Sequence, residues 1–172
     1  MTMKKMISLA LAICLALALV VPVGAVEAYS DDDNVQAIMN IVDENIPDIS
    51  HSPMPRMTTT LIHARELTGL NNGYPYIYEK AFYGREIASG TLYYVTNLTT
   101  TGSKKTVGVG LAQYSPSSDM FGIDDTLLAK MGLKDSGYAW PKIKSNGQYG
   151  VAILNETGGV VRGTVQWSKV VN

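Results

Sequence analysis

The chain has 172 residues, 46% of them hydrophobic and 17% charged, with a formal net charge of −1. That balance excludes a disordered polyelectrolyte and provides no field to hold nucleic acid or an anionic membrane. A single cysteine, Cys14, excludes an internal disulfide and a thiolate metal site.

Lys4 and Lys5 are followed by no charged residue until Glu27, and residues 7–21 between them are almost wholly apolar. Pro22, Gly24, Ala25 and Ala28 then break the run. A basic start, an apolar stretch and small residues at its end form the layout of a signal peptide over 1–28, with cleavage after Ala25 or Ala28. The layout resembles that of bacterial secretory signals. An uncleaved anchor is the other reading, because the charge-free run is about long enough to span a bilayer. Pro22 and Gly24 favour processing. Cys14 follows Ile13 in mid-run, which is not the lipoprotein arrangement. Processing removes Cys14, two lysines and Glu27, and leaves a thiol-free, weakly acidic, secreted chain. A chain of that size buries roughly 70% of its unfolded surface, enough for one core.

Residues 29–56 read as an N-terminal helix and a proline-containing linker. Asp31, Asp32 and Asp33 are adjacent rather than alternate, so they serve a helix N-terminus better than a calcium loop. Val35, Ile38, Met39, Val42 and Ile46 follow at helical spacing, and Pro47 ends the pattern. The helix belongs either to the domain or to a detachable prosegment. Pro53 and Pro55 extend the linker. Residues 57–67 alternate as a strand, Asn72-Gly73 makes a turn, and residues 74–83 form a second strand with Pro75 near its start.

Residues 90–114 and 147–170 repeat one pattern, each read as a β-hairpin. Each has a strand ending in Asn-x-Thr (Asn97-Leu98-Thr99 and Asn155-Glu156-Thr157), a glycine-containing turn and a returning strand. Val161, Val165 and Trp167 face the core, opposite Arg162, Thr164, Gln166 and Ser168. Between the two hairpins, Asp124 or Asp125 caps a short helix over 126–131 that Gly132 ends, and residues 137–143 add a strand broken by Pro141. The chain is therefore expected to be all-β. Residues 57–172 would make a small β-sandwich, or a partly open barrel, of about 6–8 antiparallel strands with one or two short accessory helices.

No catalytic constellation is evident. His51 and His63 lack a second imidazole at zinc-motif spacing, and no G-x-S-x-G elbow is present. No cofactor or metal is implied. The two Asn-x-Thr sequences fit a glycosylation pattern but read as turn formers. Ten tyrosines and two tryptophans outweigh two phenylalanines, and rings with a polar handle suit half-wet surfaces that stack on sugars. Gly108, Gly110 and Ala112, with Gly150 and Ala152, leave one face of two strands nearly bare. This face is either a platform for a polymer beside Tyr76, Tyr78, Tyr138 and Trp140, or a surface covered by neighbouring chain. The expected function is a non-catalytic extracellular module that binds a carbohydrate or cell-wall polymer. The alternatives are a protein-interaction module with an open sheet edge and a small hydrolase.

Overall fold

The computed structural model describes residues 37–41, 43–51, 58–87 and 90–171. The expected signal peptide, the aspartate run and residues 52–57 of the expected linker lie outside the described residues. Ten strands make up the fold: β1 Ala37–Asn40, β2 Thr58–Leu70, β3 Pro75–Tyr83, β4 Leu92–Thr100, β5 Thr106–Ser115, β6 Met120–Asp124, β7 Leu128–Gly132, β8 Lys134–Ala139, β9 Gln148–Leu154 and β10 Val161–Val171. One sheet runs β1-β6-β5-β9-β3, with β7 on the same edge of β5 as β6, and the other runs β2-β10-β4-β8. All pairs are antiparallel except β1 on β6.

Period-2 patterning puts the apolar residues between the sheets. Leu92, Tyr94 and Leu98 of β4 and Val161, Val165 and Trp167 of β10 meet Val107, Val109 and Leu111 of β5 and Tyr149, Val151 and Ile153 of β9 in one core. Arg162, Thr164 and Gln166 face outward and are exposed. The all-β sandwich expected from the alternation is the fold.

Its connections differ from the expected hairpins. The strands of residues 147–170 do not pair with each other: β9 joins β5 and β3, whereas β10 joins β2 and β4. β4 and β5 are split between the sheets in the same way, and so are β2 and β3. Each connection is an arch that crosses the sandwich. The three arches stack at one pole. Thr101 N donates to Val160 O at 3.1 Å, Lys104 N donates to Thr157 O at 3.1 Å, and the Thr100 and Thr157 hydroxyls meet at 2.7 Å. Gly102 and Gly159 allow the two backbones this proximity, because a Cβ on either would collide with the other arch.

Asn155 ties the pole together and is wholly buried. Its Nδ2 donates to Leu70 O and Gly159 O, both at 2.7 Å, while Oδ1 accepts from Thr157 N at 3.0 Å and Thr157 Oγ1 at 2.8 Å. Its backbone bonds the β2–β3 arch, accepting from Gly73 N at 2.6 Å. The turn-forming reading of this asparagine is the one its geometry matches. Asn97, by contrast, is exposed within β4.

Both expected helices are replaced by other structure. Val35 and Val42 lie outside the described residues, but Ile38 and Met39 of the same pattern lie in β1 along β6, and a 3₁₀ turn, Asp43–Asn45, precedes Ile46. Pairing with the edge of β6 overrides a helical spacing that only local sequence supports. At 126–131, Asp124 Oδ1 does accept Thr126 N at 2.9 Å, as a cap would. However, the chain then enters β7 along β5. The small-residue face explains why. Gly110 lies directly beneath the Leu127 carbonyl, and a Cβ on Gly150 would meet the Phe121 ring at 3.2 Å. The sheet curls over this face, and Phe121, Ile123, Leu128, Ala112, Ala152 and Leu154 form a second core on it. The bare face is therefore covered by its own chain.

One side of the sandwich is closed by residues 46–51. Ile49 enters the main core, Ile49 N donates to Lys130 O at 2.9 Å, and Lys130 N donates to Pro47 O at 2.7 Å. The segment ends where Asp135 accepts from His51 N, with His51 Nδ1 2.9 Å from the same carboxylate.

Candidate functional site

The strand register places the remaining long connections together at the pole opposite the arches. Tyr83 at the end of β3 lies opposite Gln148, which also faces Tyr114 near the end of β5, and Ala139 at the end of β8 lies opposite Leu92 at the start of β4. The β3–β4, β5–β6 and β8–β9 connections thus share this end.

Trp140 is here, directly after β8, and it is 70% exposed. It borders a groove of about 340 Å³ whose walls include Asn45, Asp125, Thr126, Pro141 and Lys142. The floor is apolar and buried, formed by Leu127, Leu128 and Ala139. The polar walls are held in place locally. Asn45 Nδ2 donates to Asp125 Oδ2 at 2.8 Å, Asp124 Oδ1 accepts Thr126 Oγ1 at 2.6 Å, and Lys142 N donates to Thr126 O at 3.1 Å. The groove thus has an exposed indole, a hydrophobic floor and hydrogen-bonding side chains held on a fixed frame. An exposed indole can stack on an apolar face while neighbouring polar groups hydrogen-bond around it.

The other three expected site residues lie elsewhere. Tyr138 pairs with Tyr93 on the outward face of the β2-β10-β4-β8 sheet, with ring centroids 4.8 Å apart, and is only 3% exposed. Burial, followed by the nearby Tyr93, raises its hydroxyl pKa. Tyr76 is buried at the open side of the sandwich, where β2 and β3 form the sheet edges, and half-buried Tyr78 stacks there on His63 at 3.8 Å. The four aromatics therefore do not form one platform.

His63 is the more notable member of that side cluster. Its ring lies between Tyr78 and Trp167, its Nε2 is 3.2 Å from the Tyr76 hydroxyl, and Arg65 covers the Tyr76 ring at 5.3 Å. Burial first, and the Arg65 charge second, hold the His63 pKa below its ordinary value. The stack lies between β2 and β3, two sheet edges that, among the described residues, do not pair as strands.

Two further aromatics line the pole, and aromatic enrichment alone did not single them out. Tyr83 is 38% exposed, with the Arg85 guanidinium 4.6 Å over its ring, and its hydroxyl accepts from Gln148 Nε2 at 2.9 Å. The Tyr114 hydroxyl donates to Asp119 Oδ1 at 2.6 Å, which raises its pKa, and Asp119 sits at φ 54° in the β5–β6 loop. Among the described residues no three His, Cys, Asp or Glu side chains converge as a metal site would require. No family model, no curated protein and no solved structure matches the chain.

Proposed function

We propose that this protein is a secreted, non-catalytic β-sandwich module that binds a carbohydrate or cell-wall polymer at the groove beside Trp140. The observation that carries this reading is the exposed indole at the mouth of a groove with a dry floor and polar walls. Leaving a large ring in water gives up about 1.5–3 kcal/mol of burial that a ligand face would recover. Asn45 and Lys142 offer donors, and Thr126 and Asp125 acceptors, in the walls beside the ring. The leader-like start of the chain supports an extracellular ligand.

Co-sedimentation of the purified protein with insoluble polysaccharides and peptidoglycan, followed by tryptophan fluorescence, tests the reading. Trp167 is wholly buried, so a ligand-dependent change in emission reports Trp140. The expected result is retention on at least one polymer, lost in Trp140→Ala with the fold intact. Retention unchanged in that variant would move the ligand elsewhere. No retention on any polymer would favour a protein partner.

A further inference from the structure

The chain that leaves Trp140 carries the reading further. Over residues 140–144, Trp140, Lys142 and Lys144 are exposed while Pro141 and Ile143 turn inward, with Ile143 against the main core. The segment is fixed along its length. Lys142 N is bonded to Thr126 O, Lys144 N donates to the Tyr149 hydroxyl at 2.8 Å, and Gly147 N closes a turn onto Lys144 O at 2.9 Å. The turn is docked by Gly84 N to Gly147 O at 2.9 Å and Arg85 N to Ser145 O at 3.0 Å.

This rail joins two grooves. Lys142 lines the Trp140 groove, and Lys144 lines a second of about 380 Å³ with Tyr83, Gln113, Tyr114, Asn146 and Gln148. Among the described residues, Lys142, Lys144 and Arg85 form no ion pair. Nearby carboxylates are engaged by neutral donors: Asp125 by Asn45, Asp119 by Tyr114 and Glu86 by Tyr83 N at 3.1 Å. The rail therefore presents two exposed cations, Lys142 and Lys144, between an exposed indole and an exposed phenol.

We infer that the ligand is an anionic polyol polymer, lying along this rail from Trp140 to Tyr83 with its acidic groups against Lys142, Lys144 and Arg85. This rests on the Trp140 reading and adds the charge and extent of the ligand. The rings meet its apolar faces, the amides of Gln113, Asn146 and Gln148 its hydroxyls, and the cations its anions. The acidic group is a phosphodiester or a carboxylate, since both meet the same ammonium chemistry.

The test titrates the protein with three soluble polymers of matched length: polyglycerol phosphate, polygalacturonate and a neutral glucan. Each is run at low and physiological salt, for the wild type, Trp140→Ala and the double variant Lys142→Gln/Lys144→Gln. Both lysines are exposed, and circular dichroism checks that the variants fold. At least one polyanion should bind about tenfold more tightly than the neutral chain and lose that margin as salt rises, by counterion release. The double variant should lose the margin as well, while Trp140→Ala loses binding of every polymer. A preference between the two polyanions identifies the acidic group, and either preference supports the inference. Equal, salt-insensitive binding of neutral and charged chains, unchanged in the double variant, would overturn it and leave the Trp140 reading intact. If no polymer binds the wild type, this inference falls, and the Trp140 reading stands or falls on the co-sedimentation assay.

Discussion

The two poles of the sandwich use similar residue types to opposite ends. At the arch pole, asparagine and threonine side chains turn inward and bond other arches; Asn155 alone makes four side-chain hydrogen bonds with no exposed surface. At the other pole, the lysines of the 140–147 connection keep their charges in water, and Trp140 is largely uncovered. The contrast shows how the fold divides its polar groups. One end uses them to hold the chain, and the other end leaves its lysines and its indole in water.

Substitutions at the two ends should therefore differ most in stability. Asn155→Ala is expected to have the largest effect, about 3 kcal/mol of destabilisation by urea unfolding, because it orphans buried carbonyl and amide groups of two arches. A loss well under 1 kcal/mol would show that the arches hold without it. Gly110→Ala comes next. Its Cβ would meet the Leu127 carbonyl, so about 1–3 kcal/mol of overpacking strain is expected in the same assay.

His63 adds a pH-dependent term. Its folded pKa lies below the ordinary value near 6.5, so the unfolded chain binds the proton more readily. The contribution of the His63–Tyr78 stack is complete above about pH 6.5 and is lost as the pH falls through the folded pKa. Thermal midpoints recorded from pH 7.5 to 5 should show this decline, and His63→Gln should flatten it. A midpoint that rises on acidification would contradict the assignment. The smallest expected change is in Trp140→Ala, within about 0.5 kcal/mol of the wild type, since the ring supports no packing that folding needs.

Most strands can be read from alternation alone, because one buried face imposes a period of two. Their partners cannot. Asn155-Glu156-Thr157-Gly158-Gly159 carries the turn chemistry of a hairpin, and an arch uses the same residues. What separates the two is whether the flanking strands find partners far along the chain, as β10 does in β2 and β4. The Asp124 cap was legible, but the strand after it was not. Leu127 and Leu128 are drawn onto Gly110 and the second core, a long-range demand absent from a local window. The site was legible only as a surplus of tyrosine and tryptophan. Tyr76, Tyr138 and Trp140 look alike in sequence, and only the place of each in the fold separates a buried ring from an exposed one.

The place of β10 also bears on when the molecule can form. Among the described residues, the outer strand β2 pairs as a strand only with β10, and β3 only with β9. Each therefore waits, as the chain is synthesised, for a partner made near the end of the described fold. Until then both sheets lack an interior strand, and two long β-prone segments remain unpaired. Such non-local pairing delays closure of the core and makes the nascent chain slow to become compact. A polypeptide that postpones its own folding in this way stays threadable until β9 and β10 have been made.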